Sequence, residues 1–201
     1  MTLDAFRPLA DRLIEPFIAG AKRLGLTPNG VSILALLAAT GAAGSFALAG
    51  EEQLLYLAGA VLVLVNGLLD LIDGGLAREL GVDSKAGDLL DHVLDRYADI
   101  LIIAGLAAGV ERFLLGFAAV TGVVMTSYLG TQAQAVALDR VYGGVLGRAD
   151  RLALTGVVTT VAAFVSATAV GMTAVGWLLV VFAVVGHITA LQRFYYAMKA
   201  L

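Results

Sequence analysis

From Leu152 to Gln192 the chain runs for 41 residues without an Asp, Glu, Lys or Arg. A helix needs about 20 predominantly apolar residues to cross the hydrocarbon core of a bilayer. This run is therefore long enough for two membrane-spanning helices, and Gly171-Met172-Thr173 is the predicted turn between them. The feature favours an all-α integral membrane protein.

Composition extends this interpretation to the whole chain of 201 residues, of which 60% are hydrophobic and 14% are charged. Soluble domains are nearer ~45–50% apolar and ~25% charged. The composition excludes a soluble globular enzyme, a nucleic-acid-binding protein and a disordered chain. The lack of cysteine excludes disulfides, thiolate metal sites and cysteine catalysis. The length predicts one membrane domain, 1–201, divided into a juxtamembrane segment, 1–26, and a helical bundle, 27–201.

Six membrane spans are predicted, although the second and third are less apolar than the others. The stretch from Asp70 to Asp99 holds eight of the sixteen acidic residues. Eleven of the thirteen Lys and Arg fall on one side of the six-span arrangement, with Arg112 on the other side and Arg96 inside the third span. The positive-inside rule then places both termini in the cytoplasm, with the cell membrane as the predicted location. The predicted spans are 31–49, 54–79, 88–109, 113–138, 152–170 and 173–196.

The N-terminal residues 2–23 lack the apolar core of a signal peptide. Apolar residues recur there at helical spacing with charged residues between them, which predicts an amphipathic helix lying on the cytoplasmic leaflet. A frayed soluble leader is the alternative. The apolar stripe consists of Leu3, Phe6, Leu13, Phe17 and Ala21.

Two pairs of aspartates flank a short connection in the acidic stretch. Asp70 and Asp73 are three residues apart, and Asp91 and Asp95 are four apart, so each pair shares a helix face. If the two helices run antiparallel, both pairs meet near the cytoplasmic surface. Each aspartate costs roughly 2.5–3.5 kcal/mol at the bilayer centre on insertion scales. Two divalent cations would balance the four charges, and all-oxygen ligands suit Mg²⁺, Mn²⁺ or Ca²⁺. The alternative is a set of solvated loop charges.

Such a pair of metal ions suits displacement at phosphorus, because two cations about 3.5–4 Å apart can hold the attacking and leaving oxygens in line. Gly74 and Gly87 have no side chain to keep a nucleotide or pyrophosphate from the backbone. Arg78 can bind a phosphate oxygen. Asp88 and Asp99 extend the face of the second pair, and for them ligation and a supporting role both remain open.

The spacing D-x-x-D-G-x-x-A-R-x8-G-x3-D-x3-D resembles the signature of the CDP-alcohol phosphatidyltransferases. The match covers 26 residues without a gap, and the six spans with cytoplasmic termini also resemble that family. The matching positions are Asp70, Asp73, Gly74, Ala77, Arg78, Gly87, Asp91 and Asp95.

The resemblance implies a reaction of phospholipid biosynthesis, in which a CDP-linked lipid donates its phosphatidyl group to the hydroxyl of a small alcohol and releases CMP. It also implies a homodimer with two divalent cations, Mg²⁺ or Mn²⁺, bound by Asp70, Asp73, Asp91 and Asp95. Asp95 would in addition be the general base that accepts the hydroxyl proton. The residues implied to bind the CDP-linked lipid are Asn29, Ser32, Asp70, Gly74, Ala77, Arg78, Ser84 and Gly87. The Pro28-Asn29 pair with Ser32 is further expected to cap the first span.

The acceptor is predicted from two segments that resemble the inositol-phosphate-using branch of the family. They contain Ser127, Arg148 and Arg151, and in that branch basic residues hold the acceptor phosphate. The neutral positions Gly130 and Gln132 leave open a different polyol phosphate, glycerol phosphate or serine. Lipid-headgroup anchoring is the alternative for both arginines. A membrane carrier for cations is the competing class of protein, and Arg78 beside the acidic ligands argues against it.

Three further features have a structural interpretation. Gly105-x-x-x-Gly109 permits close helix approach, either at a dimer contact or inside the bundle. His92 and His187 are predicted to be structural, and Trp177 is predicted to pack in the core or at an interface.

Overall fold

A computed structural model describes residues 7–82, 84–138 and 144–201. Outside these residues lie Leu3 and Phe6 of the predicted apolar stripe, and Arg140 between the fourth and fifth predicted spans. In the described part the chain forms seven α helices and one small hairpin. These are α1 (Arg7–Arg23), α2 (Pro28–Leu48), α3 (Leu55–Leu80), α4 (Lys85–Gly109), α5 (Phe113–Ala135), α6 (Arg148–Ala162), β1 (Thr168–Ala169), β2 (Met172–Thr173) and α7 (Ala174–Ala200).

Among the described helices, α2, α3, α5 and α7 are long and apolar enough to cross a membrane, by length and composition. Helix α4 carries the acidic stretch, and α6 has only 15 residues. The predicted helical membrane class is therefore confirmed, and four of the helices meet the length and composition expected of a membrane span.

Helix α2 packs against both α3 and α4, and two glycines of α4 bring it close to α2. A Cβ built on Gly105 would lie 2.6 Å from the Cα of Ala43, and one on Gly109 would lie 3.1 Å from the backbone carbon of Phe46. The Gly-x-x-x-Gly motif therefore serves packing inside the chain. This contact fixes the helix that carries the second pair of aspartates.

Helix α1 packs on the C-terminal half of α3. Ile14 and Ile18 are buried there, and a Cβ on Gly75 would lie 3.1 Å from Cγ1 of Ile18. The predicted stripe is divided by this packing. Its member Ala21 is buried, whereas Leu13 and Phe17 are exposed.

The fifth predicted span, 152–170, is wrong at both ends. Helix α6 starts earlier because the Asp150 carboxylate accepts a hydrogen bond of 3.0 Å from the backbone N–H of Gly147. It ends at Ala162, whose carbonyl accepts a 2.7 Å hydrogen bond from Gln53 Nε2. The chain does turn near Gly171, but through an antiparallel hairpin. The indole N–H of Trp177 donates to the carbonyl of Ala169 over 2.9 Å, so this partly exposed side chain anchors the hairpin rather than the core.

Candidate metal and lipid site

The two pairs of aspartates lie on either side of a short connection with defined helix ends. Helix α3 ends at Gly81, which has the left-handed φ of 64° that glycine adopts readily. Helix α4 begins after Ser84, whose hydroxyl accepts a 3.0 Å hydrogen bond from the N–H of Gly87. Ser84, predicted to bind the nucleotide, is therefore the N-cap of α4 in this structure.

Three of the four predicted metal ligands converge. Carboxylate oxygens of Asp70, Asp91 and Asp95 lie within 4.8 Å of one another. Asp73 lines a small cavity together with these three aspartates. It is buried, at 5% exposure, and its Oδ2 accepts a 2.7 Å hydrogen bond from Ser32 Oγ. All the donors are carboxylate oxygens, the type that hard divalent cations prefer. The donor set thus fits a magnesium or manganese centre.

Several of the residues implied to bind the CDP group lie next to one another. A Cβ on Gly87 would lie 3.7 Å from Asn29 Oδ1, and one on Gly74 would lie 3.5 Å from Arg78 Nη1. Ala77 is half-buried one turn after Asp73. The two glycines therefore each adjoin a polar side chain that was assigned to the same ligand.

The predicted capping role of Asn29 and Ser32 is wrong. Thr27 is the N-cap of α2, and its hydroxyl accepts a 3.2 Å hydrogen bond from the N–H of Gly30. Asn29 lies in the first turn of the helix, and Ser32 is bonded to Asp73 instead. The helix starts three residues earlier than predicted because Pro28 suits the first helical position.

Arg148, the first residue of α6, reaches into the acidic cluster. Its guanidinium donates to the carboxylate of Asp70, and its Nη2 lies 2.8 Å from Asp95 Oδ1. Arg151 is 4% exposed, and its Nη2 lies 2.6 Å from Asp99 Oδ2. Arg151 is buried and the Arg148 side chain is 15% exposed, and both pair with aspartates, which does not fit lipid-headgroup anchoring.

Ser127 also lies at this site. Its hydroxyl accepts a hydrogen bond from the guanidinium of Arg96, which in turn lies 3.3 Å from Asp95 Oδ2. Of the side chains predicted to bind the acceptor, Arg148 thus contacts Asp95 directly and Ser127 is linked to it through Arg96. Arg151 is more remote, because it pairs with Asp99. Arg96 was placed within the third span from the sequence but was given no role.

The remaining titratable candidates are divided by burial. Asp88 is exposed in the first turn of α4, whereas Asp99 is 4% exposed and paired with arginine. His92 Nδ1 lies 3.6 Å from Asp91 Oδ2. His187 Nε2 lies 3.4 Å from the Thr121 hydroxyl, away from the acidic cluster.

A cavity of about 1330 Å³ opens from the acidic cluster between α3 and α6. At one end it is lined by Asp70, Asp95 and Arg148. Apolar side chains of both helices, including Leu64 and Val157, line the rest. The cavity therefore presents charge at one end and an apolar wall along its length.

Arg193 lines this cavity too, and sequence reasoning missed it by counting it as a charge of the C-terminal tail. It lies inside α7, is 8% exposed, and donates through Nη1 to the carbonyl of Thr126 over 2.7 Å. Its position directly after the long uncharged run was the available signal. An arginine ending an apolar helix can serve a buried site as well as a membrane surface.

A cavity that is charged at one end and apolar along its length suits an amphiphile with an anionic headgroup. Together with helices of membrane-spanning character, it defines an integral membrane enzyme that acts on lipids. Residues 25–188 match the CDP-alcohol phosphatidyltransferase family, and the chain belongs to that family. It is accordingly a transferase of phospholipid biosynthesis.

The similar proteins are named for inositol-phosphate lipids. The chain is 31% identical over 200 residues to archaetidylinositol phosphate synthase of Pyrococcus horikoshii, covering 99% of this chain and 98% of that protein. It is 35% identical over 194 residues to phosphatidylinositol phosphate synthase of Mycobacterium tuberculosis, covering 90% and 84%.

Solved structures of the mycobacterial enzyme share the fold. The crystal structure with CDP-DAG bound has a TM-score of 0.75 at 28% identity, over 92% of this chain and 94% of that one. The crystal structure in complex with manganese and citrate also has a TM-score of 0.75, over 91% and 88%.

Proposed function

We propose that this protein transfers a phosphatidyl or archaetidyl group from a CDP-linked lipid to a hydroxyl of a polyol phosphate, with inositol phosphate as the acceptor. The observation that carries the acceptor assignment is the position of Arg148, which contacts the carboxylates of Asp70 and Asp95 at the charged end of the cavity. Arg151 and Arg193 line the same cavity. Guanidinium groups bind phosphate with two parallel hydrogen bonds, and the relatives' names support the same acceptor.

Asp70, Asp73, Asp91 and Asp95 are proposed to hold two divalent cations, Mg²⁺ or Mn²⁺, since their all-oxygen donor set fits these ions. Bound cations would stabilise the negative charge that develops on the phosphate oxygens. The hydrogen bond from Ser32 would hold the Asp73 carboxylate in a fixed orientation.

Asp95 is proposed as the general base. It accepts the proton of the acceptor hydroxyl while the hydroxyl oxygen forms a bond to the phosphorus of the lipid phosphate and the bond from that phosphorus to CMP breaks. Arg148 lies 2.8 Å from Asp95, so an acceptor phosphate bound to Arg148 keeps its hydroxyl group near the base. Ser127, linked to Asp95 through Arg96, would complete this side of the site.

The donor is proposed to place its CDP group against Asn29, Gly74, Arg78 and Gly87, where Gly74 adjoins Arg78 and Gly87 adjoins Asn29. Ser32, Ala77 and Ser84 would support that surface. The hydrocarbon chains would lie along the apolar part of the cavity between α3 and α6. There they would contact apolar side chains, while the charged phosphates of the donor would stay at the charged end of the cavity.

For the membrane arrangement we propose six crossings by α2 to α7, within a single domain that spans 1–201. The end of α3 and the starts of α4 and α6 meet at the acidic site, so alternate crossing would put this site and both termini on one face. By the positive-inside rule that face would be cytoplasmic. Helix α1 would lie on that leaflet, with Leu13 and Phe17 exposed to lipid. The cell membrane and a homodimeric assembly are part of the proposal.

The test uses purified protein in lipid nanodiscs with CDP-diacylglycerol or CDP-archaeol, Mn²⁺ or Mg²⁺, and inositol phosphate, glycerol phosphate, serine or free inositol. CMP release is measured by chromatography, with Asp95→Asn as the inactive control. We expect release that requires the divalent ion and has its highest kcat/KM with inositol phosphate. A higher kcat/KM with serine or glycerol phosphate would replace the acceptor assignment, and release without divalent ions would refute the metal site.

A cation carrier uses acidic side chains as an ion path. The pairing of Arg148 with two of those side chains disfavours this alternative, because a fixed cation blocks such a path. Metal-dependent CMP release without ion flux in liposomes is the result that separates the two.

A further inference from the structure

Asp99 lies one helical turn after Asp95 on α4, outside the family signature. Its side chain is 4% exposed and faces three guanidinium groups. Its Oδ2 lies 2.6 Å from Arg151 Nη2 and 3.8 Å from Arg96 Nη1, and its Oδ1 lies 3.9 Å from Arg148 Nε. One buried carboxylate therefore lies beside three guanidinium groups, two of which also contact Asp95.

The pair formed with Arg151 is the tightest of these contacts. Both side chains are 4–5% exposed, so either one alone would be a strongly unfavourable buried charge. The Nε atom of Arg151 has no hydrogen-bond partner among the described residues, and Arg151 lines the large cavity. Asp99 thus holds one nitrogen of the Arg151 guanidinium, while the N–H group of Nε remains able to donate a hydrogen bond to a ligand.

The helix sets the separation of two functions. Asp95 and Asp99 are four residues apart, about 6 Å along the axis at a rise of 1.5 Å per residue. An acceptor that offers a hydroxyl to Asp95 therefore meets Arg148 beside that carboxylate, and Arg151, which Asp99 holds, about one turn away. The two aspartates together match a molecule with a hydroxyl and an anionic group at a fixed separation.

We propose that Asp99 is a positioning residue that holds Arg151, and with it Arg148, where the phosphate of the acceptor binds. The inference rests on the proposed function, since it requires a phosphorylated acceptor. Asp99 itself touches neither substrate, and it acts through the arginines.

The experiment is a double-mutant cycle on acceptor KM, with kcat and thermal unfolding measured on the same nanodisc samples. The variants are Asp99→Asn, Arg151→Gln and the double variant. Glu52→Gln is the control, because Glu52 is exposed in the turn between α2 and α3 and also loses one negative charge. Binding of CDP-diacylglycerol is measured without acceptor.

We expect Asp99→Asn to raise acceptor KM by about tenfold or more, as for loss of a charged hydrogen bond that orients a ligand group. The kcat at saturating acceptor and the donor affinity should stay near the wild-type values. In the Arg151→Gln background the same substitution should change KM by less than about threefold, because the residues act as one unit. An unchanged KM, or an equal effect in both backgrounds, would overturn the proposal.

Asp99→Glu is the second variant and covers the case in which Asp99→Asn does not fold. It keeps the charge but displaces the carboxylate by one methylene. Positioning predicts a raised acceptor KM, whereas simple charge neutralisation predicts a wild-type KM and would refute the inference.

The wild-type acceptor profile separates the two proposals. If the chain uses a phosphorylated acceptor and the Asp99 variants keep their KM, only the positioning role fails. If it uses an acceptor without phosphate, both proposals fail.

Discussion

The contact between α2 and α4 at Gly105 predicts a large effect from a single methyl group. In Gly105→Ala the new Cβ would lie 2.6 Å from the Cα and 2.8 Å from the carbonyl carbon of Ala43, whereas ordinary contacts begin at 3.4 Å. Backbone atoms cannot rotate away as side chains can, so the helices must separate by several tenths of an ångström or more. Overpacking of this kind costs about 1–3 kcal/mol.

The consequence for the site follows from what α4 carries. Asp91 and Asp95 lie on this helix, and a displacement near 1 Å at a reacting group can cost about 10²-fold in rate. We therefore expect Gly105→Ala to lower the Tm by roughly 2–12 °C, at ~2–4 °C per kcal/mol for a chain of this size. The kcat for CMP release should fall in parallel.

Gly44→Ala is the matched control. Gly44 follows Ala43 on α2, and a Cβ there meets nothing within 4 Å. This variant should keep the wild-type kcat and a Tm at or above wild type, because alanine is the better helix former. The assay is thermal unfolding followed by tryptophan fluorescence or light scattering, with CMP release on the same samples. Equal Tm and kcat in the two variants would refute the close approach of α2 and α4.

Three other substitutions test the site. Asp95→Asn should reduce kcat by about 10²–10⁴-fold through loss of the base while CDP-lipid binding is retained, and full activity in CMP release would remove Asp95 from that role. Arg148→Ala should raise acceptor KM by about tenfold or more and leave donor KM unchanged, with initial-rate kinetics as the measurement. Ser32→Ala should weaken Mn²⁺ binding about 10–100-fold by titration calorimetry, because Asp73 loses its hydrogen bond. Ser45→Ala, on the same helix but bonded only to the backbone of its preceding turn among the described contacts, should leave Mn²⁺ binding unchanged.

The acidic cluster could be predicted because its information is local. Helical periodicity places Asp70 with Asp73 and Asp91 with Asp95, and a short connection brings the two pairs to one end of the bundle. In the structure α2 packs against both helices and supplies Ser32 to Asp73. That hydrogen bond joins residues 41 positions apart, and no periodicity specifies such a partner.

The contacts that the arginines make at the site join residues still farther apart in the sequence. Arg148 meets Asp70 across 78 residues, and Arg193 meets the backbone of Thr126 across 67. The positive-inside rule counts both arginines only as charges on one side of the membrane, and it was the family resemblance that assigned Arg148 to the acceptor. The start of α6 at Arg148 could not be predicted from the uncharged run either. That run begins at Leu152, whereas the capping contact of Asp150 lies before it.

The cavity between α3 and α6 also has a kinetic consequence. If the hydrocarbon chains of the donor pass from the bilayer directly into this apolar cavity, the enzyme binds its donor from the plane of the membrane and not from water. Its rate should follow the mole fraction of CDP-lipid in the bilayer rather than the bulk concentration, and diluting the donor with inert phospholipid should slow turnover at constant total donor. In the proposed arrangement the acceptor and CMP would exchange with water at the charged end, while the lipid product would stay in the bilayer throughout.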